Sequence, residues 1–321
     1  MPDNPNDYHN HIHQAADLVT TEAETRQGFV RWALEKATLM TPYVEEARSL
    51  HAAASQARSP MDLMGLPQLH NALVSAAGIS GKAGDQMEEE DRDEAIRNLI
   101  RTHLEPAGDA FIEELVYRFL LIRGGTVVGV VNNLVGRYAQ QVLTRAVMSN
   151  LSLLGCQLQV QYEGTKQWAT VQSDAAEVER FIKGLSWSYR SEWRALFFNV
   201  VVPIVGNNVD IVLLKCTPAA ALISDTLANV GLYIAVGELK GGIDGAGADE
   251  HWKTARTSLQ RIATSFSSVE LRPKAFFIGG AISARMSEEI WHFLGSHVLD
   301  NAANLSHVTQ LNSICRWLCN L

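Results

Sequence analysis

Three short segments hold the charges that most need an explanation: Val209-Asp210-Ile211-Val212-Leu213-Leu214, Val236-Gly237-Glu238-Leu239-Lys240-Gly241-Gly242 and Asp249-Glu250-His251-Trp252-Lys253. The first sets a carboxylate in an apolar run, and the second sets a carboxylate and an ammonium two residues apart in another. Burying such charges is expensive unless they are paired or serve a ligand. A divalent cation such as Mg2+ is a ligand of that kind, because it takes carboxylate and phosphate oxygens together, and a neighbouring lysine can hold a water or a developing oxyanion. Asp210, Glu238 and Lys240 therefore read as the core of a metal-dependent phosphodiesterase acting on DNA.

The spacing supports that chemistry if both segments are strands. Side chains alternate faces along a strand, so Glu238 and Lys240 point the same way and Leu239 enters the core behind them. With Asp210 on the neighbouring strand, Asp210 and Glu238 offer oxygens for one Mg2+ and the carbonyl of Leu239 adds another. The competing reading of Glu238-Leu239-Lys240 is an ordinary salt bridge at a strand end. An Asp one hairpin upstream, the glycine-rich exit Gly241-Gly242-Ile243-Asp244-Gly245-Ala246-Gly247 and a His just beyond it favour a site, since glycine lets backbone come close to a ligand. That loop lacks the Gly-Lys-Ser/Thr ending and the Gly-x-Gly-x-x-Gly order of nucleotide-binding motifs, which argues against a nucleotidase or a dehydrogenase. His251 is placed in the first turn of a helix starting near Asp249, where the dipole favours the neutral imidazole of a general base; a surface or capping histidine is the alternative.

The elements that must position these groups fall into two parts. Residues 1–150 read as a mainly helical domain, with helix starts at Thr41-Pro42, at Ser59-Pro60-Met61-Asp62 and after the acidic run from Glu88 to Asp93. A helix over Phe111 to Leu120 and a separate one from Leu134 to Asn150, after Gly124-Gly125, complete it. Residues 151–321 read as the catalytic domain. Strands are predicted over Gly184 to Arg190, Trp193 to Val205, Val209 to Cys216, Leu232 to Lys240 and Lys274 to Ile282, with helices from about Asp249 to Phe266 and from near Ser287 and Asn304. That order predicts an α/β fold with a mixed central sheet and helices on its faces.

Composition narrows the class. The chain has 321 residues, 47% of them hydrophobic and 19% charged, the balance of a soluble globular protein. Its longest apolar runs are too short to cross a bilayer and Met1 to Pro5 lacks a signal peptide, so a cytoplasmic protein without membrane attachment is expected. Cys156, Cys216, Cys315 and Cys319 match neither a zinc site nor a disulfide framework and read as reduced core thiols. His9, His11 and His13 read as a polar tail, and Trp187, Trp193, Trp252, Trp291 and Trp317 as core. A net charge of -8 has the wrong sign for binding nucleic acid through bulk electrostatics, so any basic groove must be local.

Asp210 followed by Glu238-x-Lys240 resembles the PD-(D/E)xK nuclease pattern, with Val209 in place of the usual Pro. Much more specifically, Gly237-Glu238-Leu239-Lys240-Gly241-Gly242-Ile243-Asp244, continued by Ala246 to Ala255, resembles the AvaI/BsoBI family of type II restriction endonucleases. The likeness extends over Ala33 to Lys36, Thr41 to Tyr43, Ala77 to Ser80, Leu104 to Gly108, Leu143 to Ala146 and Cys315 to Trp317. It implies a homodimer that surrounds double-stranded DNA through the helical domain, and Mg2+-dependent cutting at the degenerate palindrome 5′-CYCGRG-3′ after the first C, leaving 5′ overhangs. It also implies a companion DNA methyltransferase. The resemblance gives Asp210, Glu238 and Lys240 the metal and lysine roles, His251 that of general base, and Asp244 and Lys82 contacts with DNA; Asn207 stands where it implies a basic residue. A donor aimed only at purine N7 accepts adenine or guanine, and a carboxylate can select cytosine through N4, which accounts for a site degenerate at some positions and fixed at others. Two other functions keep the same core: a structure-dependent repair or recombination nuclease, and a catalytically inactive DNA-binding protein.

Overall fold

The computed structural model describes residues 7–171 and 178–321, apart from the side chains of residues 7, 35, 81, 82, 126–134, 180, 224, 245 and 246. Contacts divide the chain into two compact units, Val30–Asn133 and a second made of Met1–Phe29 with Leu134–Leu321.

The first unit is helical. It takes in most of α1 (Glu22–Ala54), then α2 (His70–Ala76), α3 (Gly81–Gly84) and α4 (Glu89–Leu99), and the first half of α5 (Phe111–Leu153). Ala47, Leu50 and Ala54, Leu73, Ile96 and Leu99, and Leu115 and Phe119 from these helices share one core. The acidic run does start a helix: Glu88 caps α4, and its backbone N–H donates to Asp91 at 3.2 Å. Ser59 likewise donates its N–H to Asp62 at 2.9 Å, although the element it opens, Pro60–Gly65, is a 3-10 helix.

Two helix boundaries differ from expectation. Pro42 lies inside α1, and Thr41, instead of capping, turns its hydroxyl back onto the carbonyl of Ala37 at 3.3 Å. The working cap is Thr21-Glu22-Ala23-Glu24, where Glu24 N–H donates to Thr21 Oγ1 at 3.2 Å and Thr21 N–H to Glu24 Oε2 at 2.8 Å. This reciprocal pair satisfies two N-terminal donors, whereas a proline removes only its own. Gly124-Gly125 does not divide α5, which is one helix of 43 residues. Each glycine costs roughly 1 kcal/mol relative to alanine, and the packed segments at both ends of α5 outweigh that.

The second unit is built on an eight-stranded sheet of order β2-β1-β3-β4-β5-β6-β7-β8. Its strands are β1 (Leu158–Tyr162), β2 (Trp168–Thr170), β3 (Ile182–Tyr189), β4 (Glu192–Val202), β5 (Asn207–Leu214), β6 (Tyr233–Lys240), β7 (Lys274–Gly279) and β8 (Asn301–Asn304). Neighbours are antiparallel from β2 to β6, and β6, β7 and β8 are parallel. The expected mixed α/β sheet is thus present, with β1, β2 and β8 added to the strands predicted from sequence. After α6 (Pro218–Ala221), three longer helices complete the unit: α7 (Gly245–Ser267), α8 (Ala284–Gly295) and α9 (Val308–Asn320).

Alternation decides which side chains face which helices. Ile211, Leu213, Ala235 and Leu239 pack with Leu143 and Val147 of α5 and Ile314 and Leu318 of α9. Val212, Leu214 and Val236 pack on the other face with Ile262 and Phe266 of α7. By the same period of two, Asp210, Glu238 and Lys240 belong to the α7 face. Gly237 lies on the α9 side, where a Cβ would stand 2.3 Å from the ring of Phe276. Gly237→Ala should therefore overpack the core and lower stability by about 1–3 kcal/mol, measurable as a shift of the urea midpoint at constant slope.

Histidines near the amino terminus do not form a loose tail. Tyr8, Ile12 and Leu18 are buried with Trp252, Phe277 and Ile290, and His11 Nε2 lies 2.9 Å from the carbonyl of Ala302. Apolar residues interleaved with the histidines dock the segment. Trp187, Trp252 and Trp317 are buried as expected, while Trp193 and Trp291 are half-buried. All four cysteines are free thiols, and Cys216, Cys315 and Cys319 are buried. Among the described residues no helix is long and apolar enough to cross a membrane.

Candidate active site

Antiparallel pairing of β5 with β6 sets Ile211 opposite Gly237, and one further step of that register brings Asp210 opposite Glu238. Lys240 lies two residues along on the same face. Its Nζ is 2.8 Å from Asp210 Oδ2 and 2.7 Å from Glu238 Oε2, so the two acids and the ammonium expected to converge do so. The backbone N–H of Leu239 donates to Asp210 Oδ2 at 3.0 Å. The carbonyl of Lys240 accepts from Gly280 N–H on the β7 side. Because successive peptide groups leave a strand on opposite sides, the carbonyl of Leu239 faces the β5 side with Asp210.

Burial makes this cluster electrostatically tense. Glu238 is 3% exposed, against 20% and 21% for Lys240 and Asp210. Loss of water and then the charge of Asp210 push the Glu238 carboxyl up to about 7, with Lys240 and the Ser258 hydroxyl pulling the other way. Burial alone would lower Lys240, but the two carboxylates outweigh it and hold the ammonium above the ordinary lysine value. Two acids around one base leave a local deficit of positive charge when all three are ionised.

These residues form the floor of an open cleft of about 450 Å³ whose wall is α7, with Thr254, Ser258 and Arg261 facing in. Ser258 donates its hydroxyl to Glu238 Oε1 at 2.7 Å. Sequence reasoning missed this residue. Its signal was a serine on the apolar face of α7, among the buried Ala255, Leu259 and Ile262. Asn199 on β4 lies across from Asp210 in the backbone register, between the pairs Phe198 with Ile211 and Val200 with Val209, but it does not line the cleft, and its side-chain amide donates to Gln140 Oε1 of α5 at 3.1 Å. Asn199 has a left-handed backbone, φ 52°, and its carbonyl accepts from Lys183 Nζ at 2.7 Å. Asn tolerates that conformation better than most residues, and nothing in the sequence marks it.

His251 requires a correction of place. Helix α7 begins at Gly245, four residues before the expected start, so His251 lies in its second turn, where the N-terminal dipole is weaker. The imidazole is exposed and is not among the residues that line the cleft; it lies against Gly242, where a Cβ would be 2.7 Å from His251 Nε2. It thus borders the loop that leaves Lys240. Asp244 is exposed at the end of that loop, just before α7. Lys82 lies in α3, and its side chain is outside the described residues. Asn207 opens β5, exposed. Among the described residues no three or more His, Cys, Asp or Glu side chains gather to hold a metal, so the site offers two carboxylates and backbone oxygen.

Known proteins extend this picture along the whole chain. The family described as Restriction endonuclease BsobI matches residues 8–321. The chain is 45% identical to the Type II restriction enzyme BsoBI of Geobacillus stearothermophilus, over 98% of each protein. It is 44% identical to the Type II restriction enzymes AvaI of a Nostoc species and of Anabaena variabilis, over 98% of this chain and 99% of theirs. Matched from its docked amino-terminal segment to its last helix, the chain belongs to the BsobI restriction endonuclease family.

Proposed function

We propose that this protein is a type II restriction endonuclease that makes double-strand cuts in DNA by Mg2+-dependent phosphodiester hydrolysis, at 5′-CYCGRG-3′ with 5′ overhangs. The observation that carries this reading is the convergence of Asp210, Glu238 and Lys240 from paired strands within hydrogen-bonding distance. The relatives named as type II restriction enzymes support it over nearly the full chain. In this reading the protein works as a homodimer, because a palindrome is read by two identical subunits, and acts in the cytoplasm beside a methyltransferase that protects host DNA.

The donor set suits magnesium. Mg2+ is bound through one or two carboxylates and keeps sites for water and substrate phosphate, and Asp210, Glu238 and the Leu239 carbonyl are hard oxygen donors of that number. When bound there, the ion supplies positive charge to the phosphate and lowers the pKa of water. Lys240, kept protonated by its two acids, offers its ammonium to a phosphate oxygen as charge builds on it. Ser258 fixes Glu238 through Oε1. His251 takes the proton of the attacking water as the new P–O bond forms and the P–O bond to the leaving oxygen breaks. Asp244 and Lys82 contact the DNA, Asp244 by accepting from a base donor.

Plasmid digestion in Mg2+, with the ends sequenced, tests the reading. Discrete palindromic cuts are expected; nicks that follow DNA structure would indicate a repair nuclease, and intact DNA a protein that only binds. His251→Ala should slow cleavage by about 10²-fold, with part of the rate regained at higher pH as hydroxide replaces the base. An unchanged single-turnover rate would remove His251 from the mechanism.

A further inference from the structure

The wall of the cleft holds a cation that the carboxylate cluster does not use. Arg261 is exposed on α7 and lines the same cleft as Asp210 and Glu238. Its Nη2 is 3.4 Å from Ser258 Oγ, whose own hydroxyl is engaged with Glu238. Among the described residues Arg261 forms no ion pair, whereas Arg256 on the same helix lies 3.0 Å from Glu289. Lys253 and Thr257 also line the cleft. At intervals of four residues, Lys253, Thr257 and Arg261 form one row along α7, about 12 Å long. Among the described residues the Lys253 ammonium pairs with Glu250 alone, at 2.5 Å, with both side chains mostly exposed, a pairing weak enough for another anion to displace.

A DNA strand entering this cleft meets two carboxylates on the floor and a protein of net charge -8, so attraction must come from cations placed locally. We propose that Arg261, at the end of the row begun by Lys253, is a phosphate subsite that grips a backbone phosphate beside the one being cut. This rests on the nuclease reading above. A guanidinium presents a planar fork to two phosphate oxygens, and an arginine without a carboxylate partner is ready to do so. Such contacts set position and carry no base information.

Fluorescence anisotropy in Ca2+, over a range of KCl, tests the subsite on two duplexes, one carrying CTCGAG and one of unrelated sequence. Arg261→Ala should weaken binding to both by the same factor, on the order of tenfold, and lower the slope of log affinity against log salt by about one. Arg261→Lys should keep the slope, because the charge remains, and regain only part of the affinity. Arg256→Ala should change neither. Calcium binding without DNA should be unaffected by Arg261→Ala. Native-like affinity and slope in Arg261→Ala would overturn the subsite while leaving the nuclease reading intact, and loss confined to the CTCGAG duplex would overturn it in favour of base reading. Failure of the native protein to bind either duplex would overturn both.

Discussion

Lys240→Ala should abolish DNA cleavage, lowering the single-turnover rate by about 10³-fold or more, while the folded protein still binds duplex DNA in Ca2+. Asp210→Ala should behave alike. The argument rests on what each group does besides pairing. Lys240 sits between two carboxylates at 2.7 and 2.8 Å, and as a plain salt bridge it would contribute to stability alone. In the cleft it is also the ammonium nearest the carboxylates proposed to hold magnesium, where phosphate charge develops. Its removal therefore takes away positive charge needed in the transition state, and removal of Asp210 takes away a cation ligand. Both residues are about one-fifth exposed at the cleft floor, so the fold should tolerate alanine. Plasmid cleavage and anisotropy separate the outcomes: native cleavage in either variant would reduce the cluster to a structural ion pair, and joint loss of folding and DNA binding would place its role in the core.

Calcium should stabilise the protein more at about pH 8 than at about pH 6, and Glu238→Gln should erase most of that difference. Glu238 has its carboxyl raised from 4.5 to about 7 by burial and by Asp210. A group raised on folding favours the folded state while it is protonated, so its contribution is complete below about 4.5 and is lost as pH rises through about 7. Above that range the protein carries a buried carboxylate beside a second one. A bound divalent cation compensates that charge, and its binding need not displace a proton when the proton has already left. Thermal unfolding with and without Ca2+ measures the difference. An equal Ca2+ shift at both pH values, or one unchanged by Glu238→Gln, would separate Glu238 from cation binding.

Much of the site was legible because it depends on local periodicity. The alternation of Val236 to Lys240 placed Glu238 and Lys240 on one face, and the apolar run around Asp210 marked the neighbouring strand. The strands that were missed are short or polar: Trp168–Thr170 has three residues, and Asn301–Asn304 is buried despite an asparagine at each end. Their pairing partners, not their composition, make them strands. Helix boundaries failed where one local signal met a stronger constraint: Thr41-Pro42 is carried within α1, which the reciprocal Thr21–Glu24 cap opens, and Gly124-Gly125 within α5, whose two ends are packed. Ser258 and Arg261 were not visible because their part in the cleft depends on which face of α7 meets the sheet. That face is set by Ile262 and Phe266 packing on Val212 and Val236, a contact between segments far apart in sequence.

Diffraction from crystals grown with Mn2+ and a duplex carrying CTCGAG, recorded for anomalous scattering, measures the central claim directly. A peak at about 2.0–2.4 Å from carboxylate oxygens of Asp210 and Glu238, beside a DNA phosphate, is the expected result. Absence of an ion between those two side chains, with a phosphate seated elsewhere on the protein, would contradict it.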